Sequence, residues 1–408
     1  MPDQSKSEHD AEYDLILVGG GMVGATLACA LQQSGLKIAL LEVYPFASAQ
    51  QPSYDDRSTA LSFGSRGLYE KLGLWTELRE GATAIDKIHI SDRGHFGAAR
   101  LDCQEEGVDA LGYVIENRIL GQVLAERLEL QGGIELIMPA QVERVENGSD
   151  GVTVTLQQAG ELRCLQAKLV VVADGSESAL RQQLGVPTEQ KRYGQTAIIC
   201  NISTDRQHNN VAYERFTDSG PLALLPLSAG RCALVLSCLD EQVEALLALS
   251  DAEFIAHVQR RFGHRLGYFT RVGRRSSYPL QLLETESQQQ GRVLLLGNAA
   301  RTLHPVAGQG LNLALRDMDA LLESLLAAAR SGADLGAPVL LAEFVEARRA
   351  DQRQVVRITD GLVTLFSNGF APVVALRGAG LLALDLLPAL RHRLAKQMMG
   401  LGGRLPRW

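Results

Sequence analysis

Three groups of residues in this 408-residue chain have the types and spacing to do chemistry. In the first, Gly19, Gly21 and Gly24 fall in a G-x-G-x-x-G pattern, and Glu42 follows Gly24 by 18 residues. Gly19 permits a tight turn, Gly21 lets the backbone approach a pyrophosphate, and Gly24 lets a helix pack closely on a strand. A helix N-terminus placed there offers unpaired N–H groups and a positive dipole end to phosphates. The Glu42 carboxylate can accept both ribose hydroxyls. The chemistry is dinucleotide binding, and NAD and FAD fit this stretch equally. In the second group, Asp174-Gly175 precedes Ser176, Ser178 and Arg181, a second nucleotide-type turn. In the third, Gly297-Asn298 leads through His304-Pro305 to Gly308-Gln309-Gly310-Leu311-Asn312. Gly308 and Gly310 allow close backbone approach. A helix beginning near Leu311 can stabilise negative charge on an electron-rich ring. Arg57, in the polar run Asp56–Ser62, suits a phosphate.

These residues need a scaffold of alternating strands and helices. Asp14–Val18 is an apolar run suited to a strand buried on both faces, Met22–Gln33 reads as helix, and Lys37–Leu41 is a second buried strand with Glu42 at its tip. Tyr44–Asp56, with Pro45 and Pro52, reads as loop. Ser65–Leu72 and Arg118–Leu130 read as helices, and Ile85–Ser91 and Tyr113–Ile115 as extended. Ile134–Pro139, Gln141–Glu146 and Val152–Gln157 read as a small meander, and Leu169–Ala173 as the apolar strand that delivers Asp174. From Gln195 to Asp240 the character changes. Thr196–Ile202, Val211–Phe216, Leu222–Leu227 and Arg231–Cys238 read as an antiparallel sheet. Ser250 and Glu253 form a capping box for a helix through Phe262, and Arg274–Leu280 is extended. Leu294–Leu296 is a buried strand entering the third group. Leu315–Ala329, Leu340–Phe366 and Leu376–Met399, the last broken at Pro388, are helical.

Composition bounds the function. A net charge of −7 argues against nucleic acid as the main partner, and 46% hydrophobic with 21% charged residues is the balance of a globular chain. The six cysteines include no C-x-x-C pair and the eight histidines no H-E-x-x-H, so a reducing compartment and no metal site are expected. Met1–Glu12 is polar and is expected to be a frayed tail without a signal peptide. No run reaches about 18 apolar residues, so no transmembrane helix is expected.

Taken in order, Gly19–Gly24, Asp174-Gly175 and Gly297–Asn312, with a sheet-rich insertion between the second and third, resemble the single-component FAD-dependent aromatic hydroxylases, the para-hydroxybenzoate hydroxylase group. Ser91–His95, Glu214–Thr217, Gly220–Ala223 and Gly297–Asp317 resemble its ubiquinone-biosynthesis branch, nearest to the hydroxylases of 2-octaprenyl-6-methoxyphenol. Asn298 stands where the wider group has Asp, a mark of that branch. The resemblance covers nearly the whole chain.

It implies an α/β fold: a Rossmann-like FAD-binding domain (13–80, 112–186 and 287–350), an inserted antiparallel-sheet substrate domain (81–111 and 187–286) and a C-terminal helical region (351–408). It implies that Gly19, Gly21, Gly24 and Glu42 hold the ADP half of FAD, that Arg57 and Arg118 reach the pyrophosphate and ribityl region, and that the Val142 backbone contacts adenine. Asp174, Gly175, Gly297 and Asn298 would serve FAD, and Gly308, Gly310, Leu311 and Asn312 would line the isoalloxazine. His304, Pro305, Gly308 and Gln309 would face the flavin on the catalytic side. The implied reaction has NAD(P)H or another donor reduce FAD and dioxygen form a flavin hydroperoxide, which hydroxylates a polyprenylated phenol in ubiquinone biosynthesis. The implied partners are the polyprenyl phenol, other quinone-biosynthesis proteins and a lipid carrier, in the cytoplasm with peripheral membrane contact through the apolar tail Leu376–Leu401. A hydroxylase of another phenol, and an FAD-bearing scaffold subunit, are the alternatives. A halogenase is excluded because Trp75 and Trp408 form no W-x-W pair.

Overall fold

The computed structural model describes residues 11–401, apart from 47, 49, 50, 52, 54, 56 and 367–369. Pro52, Asp56 and most of the expected tail therefore lie outside the described residues. The chain opens with β1 (Ala11–Val18), α1 (Met22–Leu31) and β2 (Ile38–Leu41). Next come β3 (Ser58–Ser62), α2 (Phe63–Lys71), α3 (Trp75–Gly81), β4 (Ala82–Ile85), β5 (Lys87–Asp92), β6 (Ala98–Asp102), α4 (Cys103–Glu106) and β7 (Gly112–Glu116). They are followed by α5 (Asn117–Gln131), β8 (Ile134–Ile137), β9 (Gln141–Asn147), β10 (Val152–Gln158), β11 (Glu161–Val172) and α6 (Ala179–Gln183). The middle holds β12 (Thr188–Thr204), β13 (Val211–Thr217), β14 (Gly220–Leu227), β15 (Arg231–Leu239), α7 (Val243–Ala248), α8 (Asp251–Phe262), β16 (Phe269–Val272) and β17 (Ser276–Thr285). β18 (Gln289–Gln290), β19 (Val293–Leu295) and β20 (Arg301–Thr302) lead to α9 (Gln309–Ser331), α10 (Pro338–Phe366), α11 (Ala371–Leu386) and α12 (Pro388–Met398).

The first sheet has the order β18-β19-β11-β1-β2-β8, and β19, β11, β1, β2 and β8 run parallel. Its central strands are apolar throughout because both faces are covered. Leu15 and Leu17 pack with α1, α5 and α9, whereas Ile16 and Val18 pack with Val154, Val170 and Leu295 on the other side. Two expectations fail here. Ala11 and Glu12 are strand rather than tail, because the long β11 offers Leu165 and Gln166 as partners. β8 is no part of a meander: it pairs with β2, and the meander is β9-β10-β11.

The second sheet has the order β20-β17-β12-β15-β14-β13-β5-β6. It is antiparallel except where β13 lies parallel to β5. One face packs on α8, whose N-terminus carries the expected Ser250–Glu253 capping box. β20 leaves the Gly297 turn and pairs with β17, so the third motif is tied directly to this sheet. β4, expected with the insertion, joins β3 and β7 in a small third sheet. Among the described residues no single helix is long and apolar enough to cross a membrane, and α11 and α12 meet at a bend of 95°.

Candidate active site

Three motifs and one acid come together because four neighbouring parallel strands end side by side. Gly19 follows β1, Glu42 follows β2, Asp174 follows β11 and Gly297 follows β19. The carboxyl edge of a parallel sheet, where the chain order reverses, is where such folds bind ligands. Gly19 has φ +102° and lies so close to Ala173 that a Cβ would meet its carbonyl oxygen at 2.5 Å. A Cβ on Gly24 would run into the Gly19 carbonyl. α1 starts at Gly21 with no side-chain cap and no acid in its first turn, so its first N–H groups are open to an anion. Glu42 is buried; its Oε2 accepts the Gly20 N–H at 2.5 Å and its Oε1 the Tyr44 N–H at 3.0 Å. A carboxylate has further lone pairs, so a diol can still be accepted there. Val142 sits half-buried on β9 where the register shifts against β10. Arg57 and Arg118 converge on one loop. The Arg57 guanidinium pairs with Asp55 at 2.5 Å and lies over the Tyr278 ring, and the Arg118 N–H donates to the Asp55 carbonyl at 3.0 Å.

Beside this edge opens a cavity of about 820 Å³. Its floor is Arg57–Ala60, Asn117, Asn298, Thr302–Val306 and Gly308–Leu311; its roof is the apolar face of the second sheet. α10, α11 and α12 form the far wall through residues such as Leu362, Phe366, Leu381 and Met398. Gly308 has φ +60° and α9 begins there uncapped and without an acid in its first turn, so a second open helix N-terminus meets the cavity. Pro305 and Gln309 line the floor, Pro305 exposed and Gln309 buried. Asn312 takes a scaffold role. Its Oδ1 accepts from Ser62 N at 2.8 Å and Ser65 Oγ at 2.7 Å, and its Nδ2 donates to the Ala60 and Gly308 carbonyls at 2.8 and 2.6 Å. It pins α9 to β3 and α2, leaving little of its side chain for a ligand.

His304 is fully enclosed. Its Nδ1 accepts the Val306 N–H at 3.2 Å, its Nε2 is buried without a partner among the described residues, and its ring meets Tyr193 edge to face at 5.3 Å. Burial lowers its pKa to about 4, so it is neutral at pH 7. Two residues of the wall were not singled out from sequence as site residues. Arg377 of α11 is buried and donates through Nε to Asp92 Oδ2 at 2.7 Å. Glu214 lines the roof, and burial raises its carboxyl to about 7. The signal for Glu214 was present: Ala212, Glu214 and Phe216 share one strand face, and a charge on a face otherwise apolar is out of phase.

The family profile described as FAD binding domain matches residues 12–359. Ubiquinone hydroxylase UbiL of Rhodospirillum rubrum is 38% identical over 98% of this chain and 92% of its own length. The 3-demethoxyubiquinol 3-hydroxylase of Escherichia coli is 30% identical over 95% of this chain and 98% of its own. The chain belongs to the ubiquinone-biosynthesis branch of the FAD-dependent aromatic hydroxylases. Its α/β architecture agrees with the solved p-nitrophenol 4-monooxygenase PnpA of Pseudomonas putida, with a TM-score of 0.81 over 97% of this chain and 100% of that one at 20% identity. The hydroxylase is thus a flavoprotein monooxygenase, and its residues fit FAD. The uncapped start of α1 and the close-packed glycines suit the pyrophosphate, and the uncapped start of α9 suits the ring end.

Proposed function

We infer that this monooxygenase hydroxylates the aromatic ring of a polyprenylated phenol, of the 2-polyprenyl-6-methoxyphenol type, in ubiquinone biosynthesis. The observation that carries the reading is the single cavity shared by the Gly297–Leu311 stretch and the apolar sheet face. A ring with a hydrocarbon tail suits such walls, since each buried CH2 stabilises by about 0.8 kcal/mol. The relatives named as ubiquinone hydroxylases support the same substrate class.

In this reading Gly19, Gly21, Gly24 and Glu42 hold the ADP half, with Val142 beside adenine and Arg57 and Arg118 toward the pyrophosphate. Asp174, Gly175, Gly297 and Asn298 serve the ribityl chain, and Gly308, Gly310 and Leu311 approach the ring. When bound, FAD supplies the redox chemistry that activates dioxygen, with NAD(P)H or another donor as the source of electrons. The chain's own residues bind, orient and exclude water. The second sheet roofs the site, and α10 to α12 close its side. The test is turnover of the FAD-loaded protein with NAD(P)H and 2-methoxy-6-prenylphenol under labelled dioxygen. One labelled oxygen atom in the product is expected. NAD(P)H oxidation that ignores the phenol, with no label in the ring, would refute the reading in favour of a scaffold role.

A further inference from the structure

Glu214 stands in one row across the roof of the cavity. The pairing registers set Ile90, Glu214, Ala223, Val235 and Ile199 side by side on β5, β13, β14, β15 and β12. All five line the cavity. Four are apolar and one is a carboxyl. Glu214 is the one acidic side chain among the described residues of the cavity wall. It makes no hydrogen bond or ion pair among the described residues, and neither of its oxygens is sealed off. Its remaining accessible surface therefore opens on the cavity.

Of the other ionisable groups lining this space, the Tyr213 ring packs on His89 and Phe262, and the arginines and His304 are held by protein partners. Arg57 pairs with Asp55, Arg377 with Asp92, and His304 Nδ1 accepts from Val306. Arg215, next in sequence, lies on the opposite face of β13, where Arg93, Arg265 and Asp92 act on it. Burial is the sole cause of the raised Glu214 carboxyl, which reaches about 7. An unpaired carboxylate facing an apolar space is costly and stabilises nothing in the protein. A ligand donor in the cavity would complete it.

We propose that Glu214 receives the phenolic hydroxyl of the substrate and takes up its proton. This rests on reading the reaction as phenol hydroxylation. One proton moves and no electron leaves: the phenol O–H bond breaks, its electron pair stays on the phenol oxygen, and an O–H bond forms on Glu214. The phenolate so formed is richer in electron density at its ring carbons, which favours attack on an electrophilic oxygen. A carboxyl that titrates near neutrality suits both uptake and return of the proton. Glu214 would then be a catalytic residue, whereas the enclosed His304 would shape the loop.

The test uses FAD-loaded protein and 4-nitrophenol, whose ionised form is coloured, at a pH where the free probe is mostly protonated. The wild-type protein is expected to generate the nitrophenolate band on binding, and E214Q to bind the probe without that band. E214Q should also lower turnover of 2-methoxy-6-prenylphenol by roughly 10²-fold or more, with FAD affinity unchanged, and E214D should restore part of the band. A band of equal size in E214Q, or an unchanged pH profile of turnover, overturns the assignment of Glu214. Failure of wild type to take up any phenol overturns the hydroxylase reading itself. E214Q should fold, because it removes a buried charge that the protein leaves unpaired; FAD content and a thermal melt check this.

Discussion

Asn298 and His304 illustrate two kinds of polar residue on the cavity floor. The Asn298 side chain is exposed and makes no hydrogen bond among the described residues, while its carbonyl accepts from Thr302 Oγ1 at 3.4 Å. A residue kept only to shape the turn would spend its amide on nearby backbone. Asn298→Asp should therefore keep FAD, since both side chains offer a carbonyl-type acceptor. Asn298→Leu should weaken it by about 1–3 kcal/mol by stranding a ribityl hydroxyl. Equal weakening in both, by FAD titration, would show a turn former. His304 predicts a pH effect on stability. The unfolded imidazole gains its proton near 6.5, but the folded one does so only near 4 because burial disfavours its charge. Between those values the unfolded state binds more protons, so stability falls as pH drops from about 6.5 toward 4. The loss from this group is on the order of 3 kcal/mol. Urea unfolding at pH 7 and pH 5 should show a shallower pH slope for His304→Asn, and an identical slope would contradict the burial argument.

At the scale of elements, the C-terminal helices decide the shape of the site. The tail Leu376–Leu401, expected to make peripheral membrane contact, has two kinds of surface, one packed inward and one exposed. Leu381 packs with Ala99, Phe216 and Phe366, and Ala395 and Met399 pack with Leu101, Cys103 and Leu111. Truncation would remove the cavity wall, so point substitutions are the sharper probes. Arg377 also donates to the Leu365 and Phe366 carbonyls at 3.1 Å, closing the end of α10. Arg377→Met leaves the buried Asp92 carboxylate with only the exposed His95, at 3.0 Å, among the described residues, and should cost about 3 kcal/mol, read by denaturant midpoint. A loss under about 1 kcal/mol would mean that α11 is not locked by this pair. Phe370, Leu386 and Leu387 are exposed, as are Arg393 and Lys396 of α12. We propose that these apolar side chains, with the basic ones, meet a lipid surface from which the prenyl tail is taken. Leu386→Asp with Leu387→Asp should leave melting and FAD content unchanged. It should cut turnover of a long-tailed phenol about tenfold, roughly 1.4 kcal/mol, relative to a short-tailed one. Equal rates on both substrates would remove the role.

For the whole molecule, cofactor binding and folding should be linked. The glycine turn, Glu42 and the Gly297 turn sit on separate strand ends, so one FAD would hold several segments of chain together. The purified protein should be yellow, and acid precipitation should release the flavin, because the contacts assigned to it are non-covalent. Free FAD at about 100 times its dissociation constant should stabilise the fold by about 2.7 kcal/mol. A melt independent of added FAD, in protein stripped of flavin, would contradict this. The chain carries one G-x-G-x-x-G unit, at Gly19–Gly24.

The local chemistry of this protein was written in its sequence. Buried strands show as unbroken apolar runs, the glycines show where backbone must approach backbone, and Glu42 shows by its place at a strand tip. Each signal depends only on neighbours along the chain. The register of the second sheet was different. Alternation in Val211–Phe216 put Glu214 on a face with Ala212 and Phe216, but only the pairing with Ile90, Ala223 and Val235 turned that face into a cavity roof. Asn312 read as a ring-lining residue, because its sequence position says nothing of Ser62 and Ser65, some 250 residues away. His304 read as flavin-facing; it lies on the cavity floor, and only the fold shows its Nε2 covered. The Arg377–Asp92 pair spans 285 residues and has no local signature. Spacing along the chain determined which turns can hold a dinucleotide. Contacts between distant segments decided which polar groups remain open to a ligand, because a side chain's partners belong to the packing and not to its own strand or helix.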